Sequence, residues 1–171
     1  MRVFATTGSR GFPFDRLVRA IDEADLASVL PGGAEVFVQT GSSGYEPSKV
    51  EWAAFLSREE FGRRMDAADL VVTHGGTGAI IGAVSRGKRV VAVPRLEKYG
   101  EAVDDHQVEL VRQFENMGLI KGCFDLEKLA DDVAEAARIE FISYQSNTTT
   151  ILESIDEFIR TDVIQQEGGR R

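Results

Sequence analysis

Three times in its first eighty residues the chain runs through a short apolar stretch rich in β-branched and aromatic residues and then stops at glycine. The stretches are "RVFATTG" ending at Gly8, "EVFVQTG" ending at Gly41 and "LVVTHGG" reaching Gly75. About five residues suffice for a strand to cross a sheet, and glycine lets the chain leave by a turn that a side chain would obstruct. After the first stop, Phe14, Leu17, Val18 and Ile21 fall on one helical face, and after the third a helix is expected from about Ala79 to Arg86. Few folds accommodate such β-loop-α units in succession. Parallel strands joined by crossover helices form an open α/β sheet, with ligands bound beyond the carboxyl ends of its strands. The glycine stops lie at that edge, so they are expected to border one crevice.

The rest of the chain keeps the alternation. A short polar helix is expected over 58–68 and a buried strand over 70–73. Gly87 stands where a helix C-cap glycine belongs, and "RVVAVP" (89–94) has the composition of a central parallel strand closed by Pro94. Val108, Leu110, Val111 and Phe114 predict a helix from Asp105 to Gly118, followed by a brief strand over 119–124. Helices over about 126–140 and 148–160 complete the pattern, and "GSSGYEPS" after Gly41 carries no helical period. The fold class is therefore α/β: a single Rossmann-like, doubly wound parallel sheet spanning residues 1–162, with 163–171 a flexible tail.

Composition narrows the function. At 171 residues and 43% apolar content the chain has the size of one domain. Its formal charge of −8 disfavours a broad grip on nucleic acid, so an anionic ligand requires a locally organised site. The single cysteine, Cys123, excludes an intramolecular disulfide and a thiolate metal cluster, and reads as a buried thiol in a reducing compartment. No run approaches the ~20 apolar residues of a membrane span, and the amino end is too short an apolar run for a signal peptide. No metal or cofactor is called for.

At Thr73 to Gly78 a strand feeds a helix through a turn with few side chains, so backbone amides and the positive end of the helix dipole can meet a phosphate. Thr77 offers a hydroxyl and His74 a ring N–H. Tight strand-to-helix packing alone would also account for the glycines. Residues 82–89, "GAVSRGKR", nearly spell a phosphate-binding P-loop, but Arg89 replaces the Ser or Thr and the helix-to-strand order is reversed. Gly76, Gly78 and Gly82 echo the dinucleotide fingerprint, but the next strand ends in Pro94-Arg95 without the ribose carboxylate. The glycine loop of nucleotide-monophosphate phosphoribohydrolases is similar too, but its glutamate is missing.

"THGGTGA" (73–79) taken together with "DDHQ" (104–107), "VFATTGSRGFPFDRLV" (3–18) and "VFVQTGSSGYEP" (36–47) resembles the C-terminal, donor-binding half of GT-B glycosyltransferases. The likeness is nearest to the PssE-like soluble subunits of two-chain bacterial polysaccharide enzymes and to the soluble catalytic subunit of the dolichol-linked N-acetylglucosaminyltransferase. MurG is a more distant relative. The resemblance implies one half of a GT-B fold that binds a UDP-sugar as donor substrate. It implies that His74 and the amides of Gly75, Gly76, Thr77 and Gly78 hold the diphosphate, with Gly8 and Ser9 completing that side. Asp105 and Gln107 would bind sugar hydroxyls, with a helix cap as the other reading of Asp105. Glu101 is a weaker sugar candidate, otherwise a solvated charge. His74 is a candidate catalytic group at the leaving diphosphate, and His106 a candidate base.

The resemblance further implies a membrane-anchored, acceptor-binding partner subunit and a lipid-linked saccharide acceptor. This chain would be cytoplasmic and recruited to the inner face of the plasma membrane. Tyr45, Trp52 and Phe55 are candidate partner contacts, with core packing as the alternative. Where relatives carry an acidic ribose ligand eight positions after the motif histidine, this chain has Gly82, which leaves Glu97 or a backbone group for the ribose. A non-catalytic nucleotide-binding regulatory module remains the alternative function.

Overall fold

The structure is a computed structural model and describes residues 1–9 and 11–145. The helix expected over 148–160 and the tail over 163–171 lie outside the described residues. Six parallel strands form one sheet in the order β3-β2-β1-β4-β5-β6. They are β1 (Arg2–Thr6), β2 (Glu35–Gln39), β3 (Glu51–Ala53), β4 (Leu70–His74), β5 (Arg89–Val93) and β6 (Lys121–Gly122). The helices are α1 (Asp15–Glu23), α2 (Leu26–Val29), α3 (Arg58–Ala67), α4 (Thr77–Val84), α5 (His106–Asn116) and α6 (Leu129–Ala136). Strand order reverses between β1 and β4, where Val3 to Thr6 lie beside Leu70 to Thr73. That reversal opens the crevice in which such sheets bind ligands.

Side chains of the central strands alternate between two cores, as the pleat requires. Val3, Ala5, Leu70, Val72, Val91 and Val93 meet α1, α2 and α6 through Leu17, Ile21, Leu26 and Val133. Phe4, Val71, Val90 and Ala92 face the opposite way, against Met65, Ile80, Ala83 and Val111. The strands buried on both faces therefore read as continuous apolar runs. Cys123 is fully buried in the first core, and burial pushes its thiol pKa far above the ordinary value.

Element ends shift for local reasons. The helix expected from Ala79 begins at Thr77, because Gly76 is already in the extended conformation of an N-cap. Ser57 accepts from the Glu60 amide at 3.1 Å and starts α3 with the Ser-x-x-Glu spacing of a capping box. Gly87, at φ +67°, closes the loop after α4 as expected. The strand expected over 119–124 pairs only at Lys121–Gly122, and a 3-10 turn, Leu126–Lys128, precedes α6. Strand β3 has no counterpart in the sequence reading, since three edge residues are too few to display an alternation.

Asp22 organises the segment leading to β3. Only 2% exposed, it accepts from the Ser48 and Lys49 amides and from the Tyr45 and Ser48 hydroxyls. Burial alone would raise its pKa, but these four groups together hold it below the ordinary 3.8. Because the folded value is the depressed one, Asp22 stabilises the fold fully above the unfolded carboxylate range and loses that effect as pH falls through the folded value. Asp22→Asn is expected to lower stability at neutral pH by about 1–3 kcal/mol and to flatten its fall below pH ~4. Urea titrations of both proteins between neutral and acid pH check this, and parallel pH curves would refute it.

Candidate functional site

The carboxyl ends of β1, β4 and β5 open into a cavity of about 530 Å³. Its floor is Thr7, His74 and Arg95. One wall is the start of α4 from Gly76 to Ala79, and the other is the segment from Glu101 to Gln107. Phe12, Val103 and Leu110 add apolar surface.

His74 is held in place by its glycine neighbours. Its Nδ1 accepts from the Gly76 amide at 3.0 Å, which assigns the proton of the neutral ring to Nε2. A Cβ on Gly8 would come within 2.6 Å of that Nε2, and one on Gly76 within 2.3 Å of Cε1. Gly8, at φ +83°, also has a backbone that L side chains rarely adopt. These two glycines are therefore required by the histidine's position between them. Gly75 is buried behind the ring, where a Cβ would strike Val111 and Gln107.

Two helices begin at the cavity, and they differ in what they offer an anion. The α4 N-cap is glycine and makes no side-chain cap bond, so the first-turn amides of Thr77 and Gly78 have no intrahelical acceptor. At α5 the His106 amide already donates to Asp104 Oδ1 at 3.1 Å. An oxyanion therefore fits at α4, where dipole, amides, the Thr77 hydroxyl and His74 converge.

The residues expected to bind the sugar, Asp105 and Gln107, are both bonded within the protein. Gln107 Oε1 accepts from the Arg95 amide at 3.1 Å, and Asp105 Oδ1 accepts from the Glu97 amide at 2.8 Å. Asp105 is the N-cap residue of α5, as the alternative reading had it, but its side chain makes no cap bond to that helix and goes to the Glu97 amide instead. Glu101 is corrected more sharply. It is 3% exposed, not a solvated charge, and its carboxylate is engaged by Arg16 and by the Leu96 amide.

Of the residues expected in the site, Ser9, His74, Gly76, Thr77, Gly78, Glu101, His106 and Gln107 line the cavity. Gly8 and Gly75 support it from behind, and Asp105 sits at its edge on the exposed side. The second glycine loop does not border it. Gly41 backs the first loop, where a Cβ would meet Thr7 Oγ1 at 2.6 Å and the Gly8 carbonyl oxygen at 2.8 Å. Gly82 lies on α4 away from the cavity, with Arg86 the nearest group to its missing Cβ at 4.0 Å. Tyr45 packs on the core, whereas Trp52 and Phe55 are 36% and 56% exposed.

Arg95 was missed as a site residue. It is 4% exposed, and its guanidinium donates to the carbonyl oxygens of Thr7, Phe12, Pro13 and Glu101 while stacking 4.8 Å from the Phe14 ring centroid. A charge directly after a buried parallel strand, at the edge where ligands bind, was the available signal. Among the described residues no group of three His, Cys, Asp or Glu side chains could hold a metal ion.

Fold and cavity together define a Rossmann-like α/β domain whose cavity lies at the switch point of the sheet, beside a helix N-terminus without a side-chain cap. The chain belongs to the glycosyltransferase family 28 C-terminal domain family, which it matches over residues 2–159. It is 27% identical over 129 residues to the UDP-N-acetylglucosamine transferase subunit ALG13 of Mus musculus, covering 71% of this chain and 10% of that protein. The solution structure of ALG13 aligns with 90% of this chain and 94% of its own, at a TM-score of 0.62 and 15% identity. MurG of Acinetobacter baumannii aligns with 91% of the chain and 49% of its own, at 0.53 and 18%. The Streptomyces sp. SF2575 glycosyltransferase SsfS6, complexed with thymidine diphosphate, aligns with 81% and 32%, at 0.52 and 26%. The expected half GT-B fold is thus observed.

Proposed function

We propose that this chain is the donor-binding, catalytic half of an inverting glycosyltransferase, taking a hexose-type sugar from UDP and passing it to a lipid-linked acceptor held by a membrane-anchored partner. The observation that carries the reading is the convergence in one cavity of the uncapped α4 N-terminus, His74 Nε2–H and the segment bearing Asp105 and Gln107. Membership in the glycosyltransferase family gives that cavity its chemistry. In transfer, an acceptor hydroxyl attacks the anomeric carbon as the bond to the diphosphate oxygen breaks. Negative charge grows on the leaving group, and preoriented amides with a ring N–H stabilise it more than they stabilise the ground state. The hydroxyl proton goes to a base, either His106 at the cavity wall or a group of the partner.

No helix of the described residues is long and apolar enough to cross a membrane, so attachment rests with the partner in this reading. Trp52 and Phe55 are its candidate contacts. UDP is favoured over other nucleotides by the ALG13 likeness. Thymidine diphosphate on SsfS6 makes dTDP the control. Millimolar UDP is expected to raise the melting temperature by a few degrees, as ligand linkage requires. Labelled sugar should reach a lipid-linked acceptor only when the partner is co-expressed. No shift with UDP or dTDP would overturn the reading, and binding without transfer in the assembled complex would favour a regulatory module.

A further inference from the structure

Three consecutive backbone amides are each taken by a side chain from the segment that walls the cavity. Arg95 N–H meets Gln107 Oε1 at 3.1 Å, Leu96 N–H meets Glu101 Oε2 at 3.0 Å, and Glu97 N–H meets Asp105 Oδ1 at 2.8 Å. This ladder sets what the wall presents to a ligand. With Oε1 committed, Gln107 keeps its amide N–H groups as donors, and Asp105 retains its second oxygen as an acceptor.

The middle rung is tied to another element. Arg16, on α1, grips Glu101 with a two-point fork, Nε to Oε1 at 3.0 Å and Nη2 to Oε2 at 2.9 Å, and Nη2 also reaches the Pro94 carbonyl at 3.2 Å. The pair is shielded, with side-chain exposures of 24% for Arg16 and 4% for Glu101. Arg16 is presented rigidly, because Leu17, Val18 and Ile21 beside it are fully buried. Its guanidinium also lies 4.9 Å from the Tyr99 ring centroid, so it braces the 3-10 turn Glu97–Tyr99 that the ladder encloses. Without Arg16, a buried carboxylate would lose its counter-ion and move toward water, releasing the Leu96 amide between the two sugar-directed rungs.

We propose that Arg16, which does not line the cavity, is a positioning residue for discrimination of the donor's sugar, acting through Glu101 on Asp105 and Gln107. The inference rests on the nucleotide-sugar reading above. The diphosphate seat is built from β4, α4 and Gly8, so it does not depend on this tie.

Calorimetric titration of the full chain with UDP, UDP-glucose, UDP-galactose and UDP-N-acetylglucosamine separates the two. In Arg16→Met the spread of affinities across the three sugars is expected to narrow about tenfold, while the Kd for UDP itself moves less than about twofold. Arg16→Lys keeps the charge but not the fork, and should give an intermediate spread with a melting temperature near wild type. Parallel weakening of UDP and all three UDP-sugars would mean a merely structural role and overturn the proposal. So would an unchanged spread in both variants, or a wild-type protein that binds UDP without discriminating among the sugars. If wild type binds none of the four, the donor reading itself falls and this inference falls with it.

Discussion

Gly76→Ala is expected to weaken UDP binding roughly ten- to hundredfold, the consequence of losing one charge-assisted hydrogen bond of about 1.5–3 kcal/mol. The backbone at Gly76 has φ −78° and ψ 130°, which any residue adopts, so a methyl group there brings no conformational strain. It would, however, lie 2.3 Å from His74 Cε1 and 2.8 Å from Nδ1. The ring must move, the bond from the Gly76 amide breaks, and Nε2–H leaves the position proposed for it beside the diphosphate. His74→Ala should cost about the same. The double variant should be no worse than either single one, because the methyl group then has nothing to displace. Isothermal titration with UDP completes the cycle. Additive losses, or a Gly76→Ala protein within about twofold of wild type, would sink the assignment of His74 to the diphosphate.

The second large effect is on stability. Arg95→Met is expected to lower stability by about 3–5 kcal/mol, since it leaves buried carbonyl oxygens without their donor. For a chain of this size that corresponds to a fall in melting temperature of roughly 10 °C. The guanidinium bridges Thr7 and Phe12 to Pro13 of one loop with Glu101 of another, and only a planar fork reaches such spread acceptors. Arg95→Lys should recover part of the loss, and a melting temperature for Arg95→Met within about 2 °C of wild type would contradict this account. Because the same guanidinium supports both sides of the cavity, nucleotide binding should weaken along with stability.

The two predictions differ in how visible their residues were. His74 and its glycines were legible because a ligand-approaching turn must be nearly free of side chains, and that requirement is written in the composition of residues 73–78. Asp105 and Gln107 are singled out by the "DDHQ" resemblance and not by spacing. In the sequence Arg95 registers only as the absence of a carboxylate, and Glu101 also reads as a solvated charge. The two have one cause. Sequence separates neither a buried ion from an exposed one nor a ligand from a brace, because the partners that decide it, Arg16 and the carbonyls of residues 7, 12 and 13, are up to 88 positions away.

The sequence by itself determined the alternation of strands and helices, the turn nearly free of side chains at residues 73–78, and the family to which the chain belongs. These follow from local periodicity and steric freedom, which neighbouring residues carry among themselves. Tertiary structure alone decided that β3 completes the sheet, that the loop at Gly41 stands behind the cavity instead of beside it, and that the first amide of α5 is taken by Asp104. It also decided that Arg16 and Arg95 hold the walls in place. Those outcomes depend on contacts between segments distant along the chain, where burial and hydrogen bonding are settled only once the sheet has brought the loops together.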